Sequence, residues 1–191
     1  MNIFKAILFM TPILVVSSHV KGEVTAYGLG AEINDYLTIY LPIKSENYLI
    51  EPSISFNTRD NSSINSAESN ENDYEEVKIG VGIYKIKTIT NSTNLYYGMR
   101  LGYVTQESNY SSVNTLFENK TESKSQGYFV APTLGIEHNL SKIISIGIDA
   151  SFLHSNTDGK RTDSTITSSV TSNTKNTESI TKAVVVMRYY F

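Results

Sequence analysis

The stretch Ala183-Val184-Val185-Val186-Met187-Arg188-Tyr189-Tyr190-Phe191 alternates residue by residue. One parity holds Ala183, Val185, Met187, Tyr189 and Phe191. The other holds Lys182, Val184, Val186, Arg188 and Tyr190. Successive side chains leave a pleated strand on opposite faces, so a period of two marks a β-strand. Both charges share one parity, so the strand has an apolar face and a mixed face. The apolar face needs an apolar medium, and the mixed face needs groups that pair its charges.

Seven earlier segments repeat the pattern. Their apolar parities are Tyr27 to Ile33, Leu37 to Ile43, Tyr48 to Phe56, Val77 to Ile83, Leu95 to Tyr103, Tyr128 to Ile136 and Ile144 to Phe152. The opposite parities are rich in Gly and Ser, with charges of both signs. Pro42, Pro52 and Pro132 fall inside these readings, where a residue without an N–H marks a bulge or a strand start. Lys85 and Lys87 continue the apolar parity of the fourth segment. Such lysines snorkel at a membrane interface, or the strand has already ended.

The connections alternate in length. Short turns are expected near residues 44–47, 91–94 and 138–141, and long polar loops over 58–76, 105–126 and 155–181. The first hairpin, at Asn34-Asp35, is short. Short turns at one end and long connections at the other are the pattern of membrane β-barrels. The apolar face runs unbroken through all eight segments, with Tyr near its ends, which suits lipid and aromatic girdles better than a soluble barrel's interior.

The N-terminus points the same way. Lys5 precedes an apolar run, Ala6 to Val16, that has signal-peptide length and is too short for a spanning helix. Cleavage after Val20-Lys21-Gly22 is expected, giving a signal peptide over 1–22 and a barrel domain over 23–191. The mean hydropathy of -0.20 is far below that of a helical membrane protein. The chain has no cysteine, so it forms no disulfide or thiolate metal site. Its net charge of -3 gives no footprint for nucleic acid.

A strand of this kind that stops on Phe191 resembles the closing strand of bacterial outer-membrane β-barrels. The whole 23–191 pattern resembles the small OmpA/OmpX/Ail-like family. That resemblance implies an all-β, eight-stranded, antiparallel up-and-down transmembrane barrel, monomeric and pore-poor, in the outer membrane of a Gram-negative cell. It implies that Phe191 and Tyr189 belong to a signal read by the barrel-assembly machinery. Outer-membrane lipid and lipopolysaccharide surround such a barrel, and host surface or serum proteins meet its loops.

Eight strands enclose a lumen just wide enough for side chains to fill. The inward parity collects Glu32, Glu51, Glu137 and Asp149 with Lys78, Arg100, Lys182 and Arg188. Buried charges must pair. An ion-pair network plugging the lumen is therefore expected, with Gly making room for the longer side chains. A narrow solute channel is the alternative. In the connections, Tyr110, Val113, Leu116 and Phe117 are candidate partner contacts. The acidic run Glu68, Glu71, Asp73, Glu75 and Glu76 reads as a solvated loop, with binding of divalent cations or of a basic partner surface as the alternative.

An enzyme is the third reading. Some eight-stranded outer-membrane barrels are lipid A deacylases with a His-x-Ser-Asn segment and a Glu. Here His154-Ser155-Asn156 makes His and Ser adjacent, so they point to opposite faces and cannot form a base–nucleophile pair. No catalytic, metal or cofactor site is expected; three histidines without clustered carboxylates make no metal site.

Overall fold

A computed structural model describes residues 24–33, 36–65, 68–114 and 118–191. The expected signal peptide and the Asn34-Asp35 hairpin tip lie outside them. The strands are β1 (Val24–Ile33), β2 (Leu37–Tyr40), β3 (Ile43–Ser45), β4 (Tyr48–Asn65), β5 (Glu68–Thr90), β6 (Thr93–Asn114), β7 (Glu118–Asn139), β8 (Ile144–Thr165) and β9 (Ser169–Tyr190). All pair antiparallel, and β1 pairs β9, which closes the sheet on itself.

The barrel has eight staves. β2 and β3 form one stave broken at Leu41-Pro42: both keep one register against β4. Pro42 has no N–H to give, but its carbonyl still accepts from the Gly28 amide at 2.9 Å. Pro132 costs less. The β7–β8 pairing skips Ala131 and Pro132 and resumes at Thr133 in the same register.

The register fixes the barrel's shape. Cross-strand partners run from Arg188 through Gly30, Tyr40, Ser53, Gly80, Gly102, Phe129 and Ser155 to Glu178. One circuit thus returns to β9 ten positions away. With strand spacings near 4.8 Å and rises near 3.3 Å, that stagger tilts the strands by about 40°.

The parity of the last strand is now explicit. Val185 and Met187 are 58% and 59% exposed, whereas Val186 and Arg188 are 0%. Around the wall, Leu29, Leu37, Ile39, Ile83, Met99, Leu101, Leu134, Ile148 and Phe152 are likewise exposed. The barrel is apolar outside and polar inside, as a membrane barrel must be. Tyr27, Tyr48, Tyr97, Tyr189 and Phe191 stand outward near the short-turn rim. Tyr103 and Tyr128 form an edge-on pair, with ring centroids 5.4 Å apart, near the other rim.

The long connections are corrected. Residues 58–76, 105–126 and 155–181, expected as loops, are mostly continuations of the strands. β4 and β5 stay paired without a slip from Tyr48↔Lys85 to Asn65↔Glu68, and β6–β7 and β8–β9 run on in the same way. Their Ser, Thr, Asn and Tyr content suits a sheet wet on both faces, and an established ladder extends at little entropic cost. From Tyr103 to Asn114, β6 rises roughly 28 Å beyond the girdle at about 3.3 Å per residue and a tilt of about 40°. Tyr110 lies on the inner face of this extension, its hydroxyl donating to Asn70 at 3.1 Å. Val113 is exposed. Leu116 and Phe117 lie outside the described residues.

Candidate functional site

The inward parity of every strand converges on the barrel axis, and three layers result. The central layer is ionic. Glu51 on β4 accepts from Arg188 Nε on β9 at 2.8 Å and from Arg100 Nη2 on β6 at 2.6 Å. Arg188 also lies 3.8 Å from Asp149 and 3.9 Å from Glu137. Its Nη2 donates to the Tyr96 hydroxyl at 3.1 Å, while that hydroxyl donates to Asp149. Arg188 and Glu51 are fully buried. Charges so placed persist because several partners share them, not because one pair is strong.

Apolar clusters bracket this layer. Leu49, Tyr84, Ile86 and Tyr96 pack on the short-turn side; Val104, Phe129, Ala131 and Leu153 pack on the other. Glycines admit the rings. A Cβ on Gly135 would lie closer than 3.0 Å to the Tyr96 ring, and Gly82 and Gly102 stand in the same relation to Tyr84 and Phe129. Below, Glu137 closes the bottom, accepting from Lys44, from Ser145 Oγ at 2.7 Å and from the Tyr190 hydroxyl at 2.7 Å.

The eight residues expected to form one network fall into two groups. Glu51, Arg100, Asp149 and Arg188 meet in the central layer, and Glu137 approaches it from below, 3.9 Å from Arg188. Glu32 accepts from Tyr40 beside it. Lys78 and Lys182 sit higher, their ammonium groups 4.3 and 4.0 Å from the centre of the Tyr36 ring. Lys78 pairs with Glu76 at 2.5 Å. Sequence reading missed Lys44 and Glu76 as members, along with the hydroxyls of Tyr40, Tyr96 and Tyr190. All five lie on the inward parity: extending the alternation into the presumed turn and loop would have found Lys44 and Glu76, whereas Tyr40, Tyr96 and Tyr190 lay within the strands and only their hydroxyl partners were not legible.

Glu76 lies above the apolar belt. Burial pushes its carboxyl up, but the Lys78 ammonium and hydrogen bonds from Gln106, Lys78 and Tyr36 outweigh that and hold it below the usual value. A depressed carboxylate adds stability above its unfolded pKa and loses it as pH falls through the folded one. Wild type and Glu76→Gln should therefore differ in denaturation midpoint at neutral pH and converge on strong acidification. A difference that persists unchanged in acid would refute this.

The extension lacks part of its wall. β2 pairs β4 only as far as Phe56, and β1 pairs β9 only from Met187 to Tyr190. Beyond these points, among the described residues, β4 and β9 pair on one side only. Between these two edges lies a cup of ≈ 820 Å³, lined by Tyr36, Arg59, Tyr74, Glu178 and Lys182 among others. Below it lies a cavity of ≈ 60 Å³ whose lining includes Tyr40, Arg100 and Asp149. His154 and Ser155 are outside and inside the wall respectively, and His154 Nδ1 lies 2.9 Å from Ser179 Oγ. Among the described residues no three His, Asp or Glu side chains could hold a metal ion.

No family model matches the sequence, and no curated protein matches it. Among solved structures, the crystal structure of Acinetobacter baumannii CarO aligns with 88% of this chain and 98% of its own. The sequence identity is 11% and the TM-score 0.40.

Proposed function

We propose that this chain is a monomeric barrel of the Gram-negative outer membrane, of the OmpA/OmpX/Ail-like kind. Its lumen is closed, and its work is surface interaction or envelope integrity rather than chemistry. One observation carries the reading. Six strands, β4 to β9, continue past the apolar belt as a polar sheet that ends, among the described residues, in two unpaired edges. Such edges are templates for a partner strand. A protein with no external partner gains nothing from building them so far above the membrane. The ionic layer supports closure, since Tyr40, Arg100 and Asp149 line the small cavity of ≈ 60 Å³ that adjoins the cup.

Cells displaying the intact chain should bind one or more of host cells, matrix proteins or serum factors. Cells displaying a barrel with the β4–β5, β6–β7 and β8–β9 hairpins cut back to tight turns should not. Both forms must show a boiling-dependent gel shift, which reports the folded barrel. Equal binding by the two forms would remove the surface reading. Stable, sizeable single-channel conductance would remove the closed lumen.

A further inference from the structure

Two lysines stand on the wrong side of the wall. On β5 the outward parity runs Val77, Ile79, Val81, Ile83 and then Lys85, Lys87 and Ile89. Both lysines are exposed. Neither has a carboxylate within 4 Å among the described residues, and Glu46 in the adjacent turn forms no ion pair with either.

Their neighbours are ordered in rows by the register. Lys85 lies between Tyr48 on β4 and Tyr97 on β6, and both rings are nearly half exposed. Lys87 lies one row nearer the short turns, opposite Leu95. One row toward the membrane centre come Ile50, Ile83 and Met99, and the next holds Pro52, Val81 and Leu101. The outer wall therefore passes from ammonium, through phenol hydroxyls, to hydrocarbon within a few residues. An amphiphile with an anionic head has the same order of groups.

We infer that Tyr48, Lys85, Lys87 and Tyr97 form a binding site for the phosphate of an anionic phospholipid in the leaflet at the short-turn rim. The inference rests on the membrane-barrel reading above. The ammoniums supply charge-assisted donors to the phosphate oxygens, and the two phenols supply further hydroxyl donors. The acyl chains lie over Ile83, Met99 and Leu101. Snorkelling alone would carry each lysine toward water without regard to the headgroup. A site must discriminate between headgroups.

The test uses the full chain refolded into bilayers of mixed phosphatidylglycerol and phosphatidylcholine, then native mass spectrometry of the released barrel. Wild type should retain phosphatidylglycerol over phosphatidylcholine. Lys85→Gln with Lys87→Gln should lower that retention about tenfold or more, since each lysine near an anionic lipid surface contributes separately. Tyr48→Phe with Tyr97→Phe keeps the rings and should lower it less. Lys124→Gln, far out on the extension, should leave it unchanged. Retention of both lipids alike, or undiminished retention by the double-glutamine variant, would overturn the site. Absence of a boiling-dependent gel shift in wild type would instead overturn the membrane-barrel reading.

Discussion

Replacing Glu51 by Leu should lower the free energy of unfolding in detergent micelles by about 3–5 kcal/mol, the range for breaking a buried ion pair from one side. Among the described residues Glu51 is the hydrogen-bond acceptor of Arg100, and it accepts the Arg188 Nε as well. Its loss strands two guanidiniums in a layer closed above and below by apolar side chains. Arg188 would keep Asp149 and Glu137 at nearly 4 Å, too far for good hydrogen bonds. Urea midpoints at constant slope would give the change. Arg188→Met should cost a comparable amount, and the two together less than their sum, because the second change removes the charge the first left unpaired. Strict additivity would mean that the two groups do not share the pairing their geometry shows.

Much of that layer is legible without coordinates, for a simple reason. Parity alone sends Glu51, Arg100, Asp149 and Arg188 inward, and a lumen filled by side chains leaves them nowhere else to go. Who pairs with whom is not legible. Glu51 and Arg188 lie 137 residues apart and meet only because the ring closes with one particular stagger, which no local pattern records. The extension was hidden for a different reason. Alternation of apolar with polar residues reports a sheet between unlike media. Above the membrane both faces meet water, so the strands through Asn61, Ser111 and Thr171 show no such alternation and read as loop. That misreading also hid Glu76, assigned to a loop although it shares Lys78's parity and its salt bridge. Lys85 and Lys87 were legible as anomalies. Their meaning appeared only when the register set Tyr48 and Tyr97 on either side of Lys85.

Gly135→Ala should be costly although it adds only one methyl group. The added carbon would fall closer than 3.0 Å to the Tyr96 ring. That ring cannot easily retreat. Its hydroxyl is held by Asp149 and Arg188, and its edge packs on Tyr84, with ring centroids 5.6 Å apart. Tyr84 is itself seated over Gly82. The displacement would have to travel through two rings and the ionic layer, so a loss near the top of the overpacking range, about 3 kcal/mol, is expected. Gly30→Ala is the contrast. Its nearest neighbours are the Arg188 Cγ and Met187 carbonyl oxygen at 3.2 Å and the Tyr40 Cβ at 3.3 Å, so shifts of a few tenths of an ångström relieve it and the cost should be small. The cause can be isolated by repeating Gly135→Ala in a Tyr96→Leu background. Tyr96→Leu carries its own penalty for leaving Asp149 without the hydroxyl. With the ring gone, however, the alanine should add almost nothing. An equal cost in both backgrounds would place the effect in the strand backbone, and the glycines would then not be sockets cut for the lumen's aromatic rings.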